Sequence, residues 1–124
     1  MKKTILVVED NERNRKLVRT ILNFRGYHVV ECDDGTSSLE LARKYRPALV
    51  LMDIELPTMD GITALGRLRA CAETASIPVI AVTASVVPSE RERVAAAGFN
   101  AYVAKPLDVP SFTELVDRFV GEAA

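Results

Sequence analysis

The chain has little of what would point to a nucleic acid, a membrane or a metal cluster. Sixteen Lys and Arg against seventeen Asp and Glu leave a formal net charge of -1, too little to hold a phosphate backbone by charge neutralisation. No basic patch or helix-turn-helix pattern compensates, so no nucleic acid is expected as a partner. No apolar run approaches the roughly 20 residues that span a bilayer. Met1-Lys2-Lys3 resembles the charged start of a signal peptide, but the apolar run from Ile5 stops at Val8, before Glu9 and Asp10. A cytoplasmic protein with no membrane partner is therefore expected. Cys32 and Cys71 stand far apart, without a second Cys or His at ligand spacing, which favours reduced thiols over a disulfide, metal or redox site. No Gly-rich phosphate loop of either nucleotide-binding type occurs, which argues against self-phosphorylation from ATP. Linkers, repeats and low-complexity segments are also missing, so residues 1–124 read as a single domain without an output domain.

What is present is an ordinary globular balance, 48% hydrophobic and 27% charged. Leu49-Val50-Leu51-Met52 is a continuous apolar run, which reads as a strand buried on both faces because a half-exposed strand would alternate. It ends on Asp53, with Glu55 and Pro57 close behind. Taken alone, Asp53 could be a turn former or a helix cap.

Along the rest of the chain the period switches repeatedly between strand and helix. Thr4 to Val8 is a second buried strand, again ending on acids. From Asn11 a helix carries Leu17, Val18, Ile21 and Leu22 to a stop at Gly26. Tyr27 to Cys32 alternates like an edge strand, and His28 has no evident partner in it. Asp33-Asp34-Gly35 turns the chain, and Thr36 is placed to cap a helix with inner face Leu39, Ala42 and Tyr45 that Pro47 ends. Asp60 and Gly61 open a third helix with Ile62, Leu65 and Leu68. Val79 to Val82 is a buried strand finishing at Thr83. Ser89 and Glu92 have capping-box spacing for a short helix ended by Gly98. Ala101 to Ala104 makes the last strand, before Lys105-Pro106. A final amphipathic helix carries Phe112, Leu115, Val116, Phe119 and Val120, with only Gly121 to Ala124 expected beyond it.

Five strands alternating with five helices imply an α/β fold, a five-stranded parallel sheet doubly wound by helices on both faces. In the strand order 2-1-3-4-5, ligands bind beyond the carboxyl ends of the first and third strands. Those strands end in Glu9-Asp10 and Asp53, the fourth ends at Thr83 and the fifth at Lys105. Three carboxylates gathered in a partly desolvated cleft repel one another unless a cation holds them. An open, all-oxygen set suits Mg²⁺ keeping several waters better than a fully caged Ca²⁺. Lys105 offers a compact charge for a phosphoryl group, and the Thr83 hydroxyl a hydrogen bond. Phosphoryl transfer asks for these parts, with Asp53 as the candidate nucleophile.

The pieces Val7-Val8-Glu9-Asp10-Asn11, Leu51-Met52-Asp53-Ile54, Leu56-Pro57 with Met59-Asp60-Gly61, Ala81-Val82-Thr83-Ala84 and Lys105-Pro106 resemble the receiver domains of two-component response regulators, whose fold is CheY-like. The resemblance runs end to end. It implies that Asp53 takes a phosphoryl group from a phosphohistidine on a sensor histidine kinase or histidine phosphotransfer protein. It implies Mg²⁺ (or Mn²⁺) bound by Glu9, Asp10, Asp53 and the backbone carbonyl of Glu55, contact of Lys105 with the phosphoryl group, and a cis peptide before Pro106. In the family the residue at Thr83 moves toward the phosphoryl oxygen and an aromatic at the position of Tyr102 turns inward. That change biases a surface made of the fourth helix, fifth strand and fifth helix toward a downstream protein effector.

Arg13, Asn14 and Leu17 match positions with which receivers dock the donor, although Leu17 is equally readable as core. Glu55 and Ser85 flank the pocket where the family tunes hydrolysis of the acyl phosphate, and Val86-Val87-Pro88 restrains the segment that the switch moves. The resemblance is to stand-alone receivers, and the Glu9-Asp10-Asn11 opening with Met52-Asp53-Ile54 is similar to the DivK-like cell-cycle group, expected as a monomer or a weak phosphorylation-dependent dimer. A constitutive receiver-fold interaction module that is not phosphorylated is the alternative; the full set of acids, Thr and Lys argues against it. A turnover phosphatase working through an aspartyl phosphate would want an Asp where the chain has Glu55, so no enzyme in that sense is expected.

Overall fold

The computed structural model describes residues 2–56, 58–84 and 88–123, with residues 122 and 123 described by backbone only. Pro57, Ser85, Val86 and Val87, to which the sequence reading gave roles, lie outside the described residues. Ten elements follow one another: β1 (Thr4–Val8), α1 (Glu12–Phe24), β2 (His28–Cys32), α2 (Thr36–Tyr45), β3 (Leu49–Asp53), α3 (Gly61–Ala70), β4 (Val79–Thr83), α4 (Pro88–Ala97), β5 (Ala101–Ala104) and α5 (Val109–Ala123).

The strands form one parallel sheet in the order β2-β1-β3-β4-β5, the doubly wound arrangement anticipated from the alternation. β3 and β4, the continuous apolar runs, are buried throughout, and β1 is buried apart from its first residue, because these three occupy the centre with helices on both faces. The alternating β2 and β5 lie at the edges and are only partly covered. Side chains of the central strands divide by parity between two cores. Ile5, Val7, Leu49 and Leu51 pack with Val18 and Leu22 of α1 and Phe112 and Val116 of α5. Leu6, Val8, Val50 and Met52 pack on the other face with Ala42 of α2 and Leu65 and Leu68 of α3.

Register brings the polar strand ends to one level. Val8 pairs with Met52, so Glu9 follows opposite Asp53; Asp53 pairs with Val82, and Thr83 with Ala104, so Lys105 follows beside Thr83.

Four local expectations are corrected. Thr36 is the first helical residue and not the cap; the cap position is Gly35, and Asp34 Oδ1 accepts from the Ser37 N–H at 2.7 Å. Tyr45 is 41% exposed and drops out of the inner face of α2, which consists of the buried Ser38 and Ala42 with the partly buried Leu39 packed beside them. α4 begins at Pro88, which puts Ser89 inside the helix; proline suits a first helical position because its missing N–H would be unpaired there. α5 continues through Gly121 to Ala123. His28 also has a neighbour, the Thr4 hydroxyl 3.2 Å from its Nδ1.

Candidate functional site

Asp53 closes β3 with its side chain 98% withdrawn from solvent, and Glu9 and Thr83 beside it are also buried. Burial of two carboxylates is tolerable only where each is hydrogen-bonded and compensated. Asp53 Oδ1 accepts from the Glu55 N–H at 2.9 Å and Glu9 Oε2 from the Asn11 N–H at 3.2 Å. The Lys105 ammonium, carried in from the end of β5, lies 3.0 Å from Asp53 Oδ2 and 2.9 Å from Glu9 Oε1. The peptide between Lys105 and Pro106 is cis.

One ammonium does not balance this much negative charge. Asp10, exposed at the rim, brings a third carboxylate whose oxygen lies within 4.8 Å of those of Glu9 and Asp53. Burial, reinforced by the adjacent Asp53 carboxylate, pushes the Glu9 carboxyl up to about 7 in spite of Lys105. Burial draws the Lys105 ammonium down, but Glu9 and Asp53 together outweigh it and its pKa is raised. A cluster of hard oxygen donors with residual negative charge suits a small divalent cation, and an open rim suits one that keeps part of its water.

Two residues to which the sequence reading gave no role at the site shape this cluster. Arg15 Nη1 donates to the carbonyls of Glu9 at 3.0 Å and Asp10 at 3.4 Å, and its Nε pairs with Glu31 at 3.4 Å. Glu31, a charge in the middle of an edge strand, was the signal that an arginine from α1 crosses over β2. Gly61 is the other. A Cβ there would run into the Asp53 carbonyl oxygen and approach the Ile54 Cα to 2.9 Å, so the start of α3 rests directly on the backbone that aims Asp53. A glycine just inside a helix N-terminus, where most residues are tolerated, was the sequence sign of such close approach.

The candidate docking residues divide. Asn14 and Leu17 line a pocket of 120 Å³ together with Glu9, Lys105 and Pro106; Leu17 is 46% exposed, which settles it as surface and not core. Arg13 is exposed and does not line that pocket. Tyr102 points outward, 44% exposed, from β5. The Glu55 side chain is exposed while its N–H orients Asp53.

Comparison with known proteins places this geometry among relatives. The family model "Response regulator receiver domain" matches residues 5–117. The polar-differentiation response regulator DivK of Brucella anthropi is 42% identical over 123 residues, covering 99% of this chain and all of that protein. The receiver domain of sensor histidine kinase PA1611 from Pseudomonas aeruginosa, solved with a magnesium ion in its active-site cleft, superposes with a TM-score of 0.91 at 34% identity, over 98% of this chain and 99% of that one. Vibrio cholerae CheY4, at 24% identity and a TM-score of 0.88 over 96% of this chain and 99% of that one, shares the fold.

Proposed function

The chain belongs to the response regulator receiver domain family of two-component signalling, and from that premise we propose that it is a phosphoacceptor switch in which Asp53 receives a phosphoryl group from a phosphohistidine. The donor is a sensor histidine kinase or a histidine phosphotransfer protein. An Asp53 carboxylate oxygen attacks phosphorus, the P–N bond to the donor imidazole breaks, and the electron pair returns to the imidazole nitrogen. The supporting observation is the placement of Lys105 within 3.0 Å of Asp53 and 2.9 Å of Glu9, with Asp10 completing the carboxylate cluster.

Glu9, Asp10, Asp53 and the backbone carbonyl of Glu55 would hold Mg²⁺ or Mn²⁺, which supplies neutralisation of charge on the phosphoryl oxygens. Lys105 adds a compact positive charge beside Asp53, and the Thr83 hydroxyl donates to a phosphoryl oxygen. Tyr102, exposed in this structure, turns inward as Thr83 moves, and the α4-β5-α5 surface carries the change to a protein effector. The protein acts in the cytoplasm as a monomer or weak phosphorylation-dependent dimer, as a switch and not as a turnover enzyme.

The test is intact mass after incubation with acetyl phosphate and Mg²⁺. A phosphoryl-sized gain in the wild type, absent from Asp53→Asn and absent in EDTA, is expected. The reading fails if neither acetyl phosphate nor beryllofluoride with Mg²⁺ alters the protein, the latter followed by the Tyr102 resonances.

A further inference from the structure

At the end of the sheet opposite Asp53, three connections converge. Lys2 and Lys3 lead into β1, Arg46 and Pro47 join α2 to β3, and Ser76 and Ile77 lead into β4. Together they line an open cavity of 410 Å³, within the size range of small-ligand sites. The five residues of β3 separate it from the carboxylate cluster by about 15 Å.

Its charge is the reverse of the other end's. The lining carries three cationic side chains and, among the described residues, no carboxylate. Glu73 is shared between Arg43 at 3.1 Å and Arg46 at 2.9 Å, so it neutralises one of the two. Arg69 adds a further charge at this edge, spent on neutral oxygens: the carbonyls of Ala75 at 3.1 Å and Ile77 at 2.6 Å, and Asn100 Oδ1 at 2.8 Å. Arg43 and Lys44 are accounted for by the negative end of α2. Lys2 and Lys3 are not, because they precede a strand. Pro47 and Ile77 give the cavity an apolar wall beside its cations.

We propose that this basal cavity binds a phosphate ester. Lys2, Lys3 and Arg46 would face the phosphate, the exposed Ser76 hydroxyl would donate to it, and the organic part would lie on Pro47 and Ile77. The ester is carried either by a soluble nucleotide or by a phospholipid headgroup. The proposal is independent of the phosphoacceptor reading.

The experiment uses the full chain in EDTA, so that no divalent ion links a phosphate to the carboxylate cluster. Amide resonances are followed during titration with pyrophosphate and with ATP, and co-sedimentation is measured with phosphatidylglycerol against phosphatidylcholine vesicles. Wild type is compared with Lys2→Gln/Lys3→Gln, whose exposed side chains can change without disturbing the core, and with Ser76→Glu. Shifts at Thr4, Ala48 and Ser76 that need about tenfold more ATP in either variant support the site. A response to ATP without vesicle binding assigns it to a nucleotide; phosphatidylglycerol binding lost in the variants, without an ATP response, assigns it to a headgroup. No response to any probe, shifts centred on Glu9 and Lys105, or shifts that both variants leave unchanged would overturn it.

Discussion

Lys105 and Asp53 are 52 positions apart in the chain, and their Nζ and Oδ2 atoms are 3.0 Å apart in the fold. The same ammonium reaches Glu9 at 2.9 Å, so removing it leaves two buried carboxylates facing each other without compensation. In the metal-free protein Lys105→Met should therefore cost roughly 2–3 kcal/mol, somewhat less than the roughly 3–5 kcal/mol of breaking a fully buried ion pair because the lysine is partly solvated. Saturating Mg²⁺ should recover much of that loss by supplying another cation. Urea unfolding of both proteins in EDTA and in Mg²⁺ measures this directly, and an equal loss in the two conditions would contradict it.

Gly61 and Gly66 lie on the same helix, α3, and should respond to alanine in opposite directions. At Gly61 the added methyl meets the Asp53 and Ile54 backbone, and overpacking against backbone costs about 1–3 kcal/mol, more than the roughly 1 kcal/mol of helix propensity that alanine regains. At Gly66 nothing lies within 4 Å of the new atom, so the propensity gain of about 1 kcal/mol should appear as added stability. Gly61→Ala should in addition slow phosphorylation by acetyl phosphate, because relief of the clash moves the backbone that carries Asp53; Gly66→Ala should not. Urea midpoints and intact-mass time courses separate the two.

Burial pushes the Cys32 thiol up to about 12, and the nearby Asp34 and Asp33 charges add to it. The thiolate is the nucleophile, so a raised pKa means low reactivity at ordinary pH. Native Cys32 should resist iodoacetamide between pH 7 and 9 under conditions where urea-unfolded protein labels at both cysteines. The thiol favours the folded state while protonated, and that preference fades only as pH rises from the unfolded value of 9.0 toward 12. Peptide mapping after timed alkylation reads the outcome, and rapid native labelling of Cys32 at pH 8 would refute it.

The fold was legible in the sequence because its strongest signals are long-range in cause and local in appearance. Leu49 to Met52 and Val79 to Val82 are uninterrupted apolar runs since central parallel strands are covered twice, and the polar residue ending each run marks the carboxyl end of the sheet, where ligands bind. That made Glu9, Asp10, Asp53, Thr83 and Lys105 readable as a group before any distance was known. What escaped depended on contacts between elements. Tyr45 matches the helical stripe, yet as the last residue of α2 it stays 41% exposed. Ser89 and Glu92 have cap spacing, but Pro88 can itself occupy the first turn and moves the start forward. Arg15 and Arg69 look like surface arginines by position, and only the folded chain shows their guanidinium groups tying down backbone carbonyls.

Asp60 caps α3 through its Oδ1, which accepts the Thr63 N–H at 2.8 Å, and this bond predicts a pH dependence of stability. The Thr63 N–H, opposed by partial desolvation and helped by Arg93, lowers the Asp60 pKa below its ordinary 3.8. The folded state thus binds a proton at Asp60 less readily than the unfolded chain does, and the stabilisation belongs to the ionised form. It should be complete above the unfolded pKa and lost as pH falls through the folded one. Asp60→Ala should accordingly cost about 1 kcal/mol near neutrality, the usual value of a helix cap, and the gap from wild type should narrow as pH drops below 3.8. Asp60→Asn keeps a side-chain oxygen at the cap and cannot ionise, so its stability relative to Asp60→Ala should stay level over the same range. Urea unfolding at a series of acidic pH values tests both, and a wild-type advantage over Asp60→Ala that is unchanged at pH 2.5 would show that the charge on Asp60 plays no part.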